Sequence, residues 1–545
     1  MSYGAVHQAT SPRDAIRPGR AARPVPLWLR HAAHLGPVAL LTALTAVATA
    51  HSVRLGGPLE ALLATAVTAN VGLLALFSWP SILGSALGLG SALGALGRAS
   101  ARGGAGAPGE LAAAWPTGRA RTAVLMPIHE EDPARVFAAV EAMRASVALT
   151  GAGKVAFFVL SDTRRPEAAA AEERACQALL GRLAAAPGRG RAPVHYRRRA
   201  GNARRKAGNL AEFLERWGGT YDFAVVLDAD SLMSGPALAR LIGTMEANPR
   251  AGILQTMPYA VGRESLFARV QQFAGRLYGP ALARGLAFWQ GPRGGYWGHN
   301  AILRVQPFMD HCGLPDLPGR APLGGEILCH DTVEAALMLR AGWEAWLVPG
   351  IEGSYEETPT NLLDHLTRER RWCQGNLQHL RVLGARGLRP ASRLHIVAGI
   401  LHYLSAPLLL SSLALSTALD AGRGAETGAG RWPWALLALV LGLMLGPRLL
   451  AVGAVLARGG AGTYGGGWRL VVSALLEQAF SALVGPVLTV FYAVFAAATL
   501  MGRVVRWDAQ ARDDRGLGWR EAGRRLGAPL ALGAAVAGLL AVAAP

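Results

Sequence analysis

The sequence predicts an α/β domain with a doubly wound sheet, set between groups of membrane-spanning helices. Short apolar runs in TAVLMPI, VAFFVLSD and YDFAVVLDADSLM each end in polar or acidic residues, and helical patterns lie between them at 133–147 and 206–217. Apolar stretches near the ~20 residues that cross a bilayer flank this region on both sides. Hydrophobic residues make up 51% of the 545, and mean hydropathy is +0.26, high for a chain wholly in water.

Residues 1–34 are rich in Pro and Arg and lack apolar periodicity, which predicts a disordered basic tail in the cytosol. Two spans are expected within 35–97, over runs at 35–53 and 61–83. A second run so close behind the first argues against a cleaved signal peptide. The basic tail before them and Arg98, Arg102, Arg119 and Arg121 after them place both flanks in the cytoplasm. The small-residue stretch 84–97 either extends the second helix or lies along the interface.

Residues 118–390 read as one cytosolic domain. Strands alternating with helices predict a parallel sheet, and acidic residues at strand ends predict a ligand crevice there. The run 223–227 stops at Asp228, Ala229 and Asp230. Side chains alternate along an extended backbone, so the two aspartates share one small volume, where Mg²⁺ or Mn²⁺ would relieve their repulsion. An Asp/Ser turn after a strand would give the same three letters. No GxGxxG stands between a strand and the helix after it in this region, and no Walker motif is present, so neither a dinucleotide site nor a P-loop ATPase is supported.

The formal net charge is +19, yet the basic residues are scattered and no nucleic-acid motif accompanies them; juxtamembrane charge explains the excess, and no nucleic-acid partner is expected. Only Lys154 and Lys206 are lysines, so Lys206, at the start of a helical pattern, stands out from an Arg-biased background, although a surface lysine is the plainer alternative. Cys176, Cys312, Cys329 and Cys373 lack zinc-ligand spacing and read as reduced thiols.

Two further spans are expected over 394–456, with Trp432 and Trp434 at an aromatic belt. Residues 468–501 have basic flanks at both ends, Gly485-Pro486 at the middle and Glu477-Gln478 inside, so the segment crosses twice or not at all. Interfacial or re-entrant helices are the expectation. A cytosolic loop, 503–525, precedes a last span at 526–545.

In order along the chain stand Asp162, Asp228-Ala229-Asp230, His330-Asp331 and Arg368-Glu369-Arg370-Arg371-Trp372. This order resembles the processive family-2 glycosyltransferases, such as cellulose and hyaluronan synthases. MPIHEED, RRKAGN, VLDADS, YWGHNAILR, CHDTVEAALMLRAGW and RRWCQGN followed by LQHL resemble more closely the glucans biosynthesis glucosyltransferase H family. The resemblance implies a GT-A-type, Rossmann-like domain in a multi-pass protein of the bacterial inner membrane. It implies an inverting enzyme that extends a β-glucan, β-1,2-linked, from UDP-glucose with a divalent metal, and that passes the chain through the helices after 390. Acyl carrier protein and periplasmic glucan-modifying proteins are implied as partners of some members. A cellulose-like synthase, a polyprenyl-phosphate glycosyltransferase and a transporter with a regulatory nucleotide domain are the rivals.

The same resemblance implies residue roles. Glu131 and Asp162 would contact the nucleobase, Lys206 the base or diphosphate, Asp228 the ribose and Asp230 the metal. Asp331 would be the general base, Arg371 a diphosphate clamp and Trp372 a platform for the acceptor sugar. Asp331 also fits a helix N-cap before TVEAALMLRAGW, and both roles can hold. Arg368 stands where cellulose-type enzymes carry Gln, and Glu130 where Asn is usual. Cellulose-type enzymes place a gating loop where 503–525 lies. Here that loop lacks their FxVTxK pattern but offers Arg506, Trp507 and Arg512; a solvated loop is the alternative.

Overall fold

The computed structural model describes residues 25–53, 56–92, 111–185, 192–421, 431–505 and 516–543. Most of the tail, together with Arg506, Trp507 and Arg512, lies outside the described residues.

Helices α1 (Leu27–Val53) and α2 (Pro58–Ala92) come first, so the first helix takes in 27–34, which composition had assigned to the tail. The domain follows as β1 (Arg121–Ile128), α3 (Pro133–Ala148), β2 (Lys154–Ser161), α4 (Pro166–Ala185), β3 (Val194–Arg198), α5 (Arg205–Trp217), β4 (Phe223–Val226), β5 (Leu232–Met233), α6 (Gly235–Ala247), β6 (Ala251–Gln255), β7 (Tyr259–Ala260) and α7 (Leu266–Gln290). It continues with β8 (Ala301–Arg304), α8 (Val305–His311), α9 (His330–Arg340), β9 (Glu344–Leu347), β10 (Ser354–Glu356) and α10 (Leu362–Gln378). Helices α11 (Pro390–Ala421), α12 (Arg431–Ala457), α13 (Gly467–Leu500) and α14 (Trp519–Ala543) complete the chain.

Seven strands form the main sheet in the order β3-β2-β1-β4-β8-β6-β9. Apolar clusters cover both faces, which is why β1 and β4 read as unbroken apolar runs. The expected all-parallel sheet is instead mixed, because β8 runs antiparallel to β4 and β6. The reason lies in α7, which leaves the sheet to pack on α2. The returning chain enters β8 at the end where β4 stops, pairing Ala301 with Val226. Residues 298–300 are thereby set beside Asp228. A three-stranded sheet, β5-β10-β7, lies at the same edge.

Helices α1, α2, α11, α12 and α13 are long and apolar enough to cross a membrane. The stretch after 83 extends α2 through Ala92 and serves as a docking face. A Cβ at Gly84 would overlap Ala281 O of α7, and one at Gly285 would overlap Pro80 O of α2. The two backbones touch, as at small-residue crossings between membrane helices. Gly285→Val is therefore expected to cost about 3 kcal/mol or more, since backbone cannot yield as a side chain does. The check is a thermal melt of the purified protein, in which an unchanged midpoint would contradict the contact.

Residues 468–501 differ from the expected pair of segments. One helix, α13, runs unbroken through Gly485-Pro486. Without water to compete for backbone groups, a helix tolerates an interior proline. Near its start, Leu470 packs with Leu277 of α7, and Glu477 accepts from Tyr278 Oη at 2.9 Å. Near its end, Ala496 packs with Ile396, Ile400 and Tyr403 of α11. Just beyond it, Val505 N donates to Gln374 Oε1 of α10 at 2.8 Å. Both ends thus rest on the α/β domain or on the start of the span that leaves it. The loop after it is shorter than 503–525, because Trp519 already begins α14.

Candidate active site

RRKAGN folds as a strained turn into α5. Arg204 and Arg205 adopt φ of +54° and +48°, uncommon for non-glycine residues, and Asn209 is buried with its amide donating to Leu160 O of β2 at 2.9 Å. The turn projects Lys206 across the sheet edge, where Nζ pairs with Asp228 and donates to Gly298 O at 2.8 Å. Lys206 is thus a partner of the DAD turn itself. That turn is closed by Ser231, whose hydroxyl accepts from Asp228 N at 2.9 Å. Asp228 and Asp230 are both half-buried.

Gly298 is also where Asp331 arrives. Its φ is +82°, and a Cβ there would stand 3.5 Å from Asp331 Oδ2. Asp331 does not cap α9; Cys329 holds that position, and Asp331 sits in the first turn, where the helix dipole favours a carboxylate. Behind it His330 Nδ1 meets Glu334 Oε2 at 2.8 Å. Burial alone would lower the imidazole's pKa, but Glu334 outweighs it and the net direction is upward. Tyr296 is wholly enclosed beside Glu334, Asp331 and Asp228; burial first, then those charges, push its phenol well up, so it stays a neutral O–H group.

The nucleobase candidates are more engaged than the motifs suggest. Asp162 is 5% exposed and held by Arg199, whose Nη2 donates to Oδ2 at 2.9 Å. Glu131 accepts from the backbone N of His129. Glu130, at φ +63°, donates its N–H to Thr163 Oγ1 at 2.9 Å and accepts from Arg165 Nε at 2.9 Å. In α10, Arg371 is buried, whereas Trp372 is 42% exposed with the Arg368 guanidinium 4.5 Å above its ring. Glu369 turns the other way, accepting from Tyr403 Oη of α11 at 3.0 Å and from Tyr492 of α13.

Sequence reasoning missed Arg199, His299 and Glu356. Asn300 ties the start of β8 to β10, donating to Ser354 Oγ at 2.8 Å and Tyr355 O at 3.0 Å. This holds Glu356 near the DAD turn, with its carboxylate 3.4 Å from His299 Nε2. Burial raises the Glu356 pKa; His299 and Arg368 oppose this, while Asp230 and Asp228 add to it. The HYRRRA run at the end of β3 was the one available signal for Arg199, and HN in YWGHN for His299.

Asp228 and Asp230 stand near enough to act on Glu356, and a divalent cation would relieve the repulsion that these charges share. Among the described residues no three His, Cys, Asp or Glu side chains stand close enough to enclose one.

The family model "Glycosyl transferase family 2" matches residues 125–312, and "Glycosyl transferase family group 2" matches 223–456. Glucans biosynthesis glucosyltransferase H of Pseudomonas paraeruginosa is 47% identical over 433 residues, which cover 76% of this chain and 50% of that protein. The proteins of the same name from Salmonella typhimurium and Escherichia coli K12 are 45% and 44% identical over 430 residues, with the same coverage. This chain spans about half the length of the curated relatives it matches. Among solved structures, the mannosyltransferase PcManGT from Pyrobaculum calidifontis covers 74% of the chain at 17% identity and a TM-score of 0.41, too low to bear on the site. The fold is GT-A-like, residues 125–456 match family-2 glycosyltransferase models, and the chain is a relative of the glucans biosynthesis glucosyltransferases H.

Proposed function

We propose that the protein is an inverting glucosyltransferase of the bacterial inner membrane. It transfers glucose from UDP-glucose to the end of a growing β-glucan, the β-1,2-linked backbone of osmoregulated periplasmic glucans, with the α/β domain on the cytosolic side. The observation that carries this reading is the meeting of Asp331 and the Lys206–Asp228 pair at Gly298.

In this reading Asp331 takes the proton of the acceptor hydroxyl as its oxygen attacks the anomeric carbon. The bond from that carbon to the UDP oxygen breaks on the opposite face, and α becomes β. Lys206 neutralises Asp228 until the nucleotide enters, and Arg371 lies in the same buried helix as Trp372 to meet diphosphate and acceptor. Asp230 would hold Mg²⁺ or Mn²⁺, with Asp228 toward the ribose, and the metal when bound would offset the charge of the departing UDP. Glu131 and Asp162, braced by Arg199, would border the base. The Val505–Gln374 hydrogen bond, which ties the chain just after α13 to α10, supports the connection from α13 to α14 as a loop that closes over this site, with Arg506, Trp507 and Arg512 as its contacting residues. The growing glucan would leave between α11 and α13. Acyl carrier protein and periplasmic glucan-modifying proteins would be partners at the two faces.

Purified protein given UDP-glucose and a divalent metal is expected to release UDP and make a polymer whose linkage analysis shows β-1,2 bonds. A single sugar on polyprenyl phosphate would overturn the polymerase reading, and no UDP release would overturn the transferase reading altogether.

A further inference from the structure

Helix α7 carries a cation into the membrane junction for which the proposed reaction has no use. Arg284 stands next to Gly285, where α7 crosses α2 at backbone contact, and its Nη1 donates to Gly84 O at 3.0 Å. Arg458, the residue after α12, reaches the same place. Both guanidinium groups lie within 2.5 Å of where a Cβ of Gly88 would stand, so at most about 5 Å separates their nearest nitrogens. The close helix crossing forces two like charges together.

Among the described residues, neither charge forms an ion pair. Burial and then the Arg458 charge depress the Arg284 pKa, and only the Tyr259 phenol opposes them. Glu352 is felt by Tyr259, yet no carboxylate of the described residues acts on Arg284. Bonding to the carbonyls of α2 accounts for one guanidinium at this position; it gives no reason for a second. Two cations in a half-buried site attract an anion, and guanidinium groups pair best with carboxylate or phosphate.

The position selects phosphate. Gly88 lies in the last turns of one candidate span, and Arg458 directly follows another. Ala451 of α12, Leu470 of α13 and Leu277 of α7 pack together beside them, which marks this as the end of the spans that faces the α/β domain. Lipid headgroups occupy that depth, and basic pockets between helices at that level hold anionic headgroups. We infer that Arg284 and Arg458 form a binding site for a phosphate group at the membrane face of the domain, independent of the nucleotide site.

The test uses the full chain, stripped of lipid in neutral detergent, and follows thermal unfolding. The additions are phosphatidylglycerol, phosphatidylcholine with the same acyl chains, or inorganic phosphate against sodium chloride of equal ionic strength. Wild type is expected to gain several degrees with phosphatidylglycerol and less with phosphatidylcholine. Arg458→Gln is expected to lose most of that gain and, without lipid, to melt no lower than wild type, because the like-charge pair is gone. Native mass spectrometry is expected to count one fewer retained phosphatidylglycerol on the variant. A gain with inorganic phosphate equal to that with phosphatidylglycerol assigns the site to free phosphate; a gain with the lipid alone assigns it to the headgroup. Equal gains in wild type, Arg458→Gln and Arg284→Gln, or no gain with any phosphate compound, would overturn the inference. Arg458 is exposed at a helix end, so its variant remains informative should Arg284→Gln fail to fold.

Discussion

Asp331→Asn is expected to bind UDP-glucose almost as wild type does and to turn it over about 10² to 10⁴ times more slowly. Asparagine has the shape of aspartate and fits the same space against Gly298, but it cannot take a proton at neutral pH. The helix start does not depend on residue 331, because Cys329 occupies the cap position. Losing the favourable carboxylate in the first turn costs about 0.3–1 kcal/mol, too little to unfold the domain. Nucleotide binding measured beside single-turnover transfer separates the two steps. A loss of turnover under about tenfold would remove the base from Asp331.

Asp230→Ala is expected to abolish transfer and metal-dependent binding of UDP while the domain stays folded. The carboxylate is half-exposed at a strand end and packs no core. Its charge helps to raise the Glu356 pKa, after burial. A carboxyl raised in this way destabilises the fold above its unfolded pKa, where it must ionise, and that cost vanishes on acidification. Removing Asp230 eases the cost at neutral pH, so the metal-free variant is expected to melt at or above the wild-type temperature. Adding Mn²⁺ should then raise the wild-type midpoint and not the variant's. Full activity of the variant in EDTA would refute a metal held by Asp230.

What could be read in the chain was what is local. Apolar runs ending in carboxylates located three strands and their shared edge, since strand burial and strand termination leave marks within a few residues. Asp331 was legible because a helix pattern follows it. The antiparallel β8 was not, because direction depends on which end of the sheet the chain re-enters, and that is fixed by α7 docking on α2 through Gly84 and Gly285. Glu356 and Arg199 were hidden because their partners lie far off in sequence, on other elements. Lys206 drew notice by rarity, by its place at a helix start and by the RRKAGN motif, yet nothing in RRKAGN says that it reaches Asp228. The continuity of α13 was masked by Gly485-Pro486, a pair that breaks a helix in water more readily than beside lipid.

Helix α10 has 17 residues, about 25 Å of length. At one point it carries Arg371 and Trp372, at another it holds Tyr403 and Tyr492 through Glu369, and at a third Gln374 fastens the chain that leaves α13. A rod this short has no interior joint, so a tilt felt at one point is felt at all three. In the proposed reaction, sugar addition and the advance of the product would both act through this one helix. A substitution on its membrane side should change product length and rate together, in fixed proportion, and variants that shorten chains without slowing the enzyme will have to be sought elsewhere.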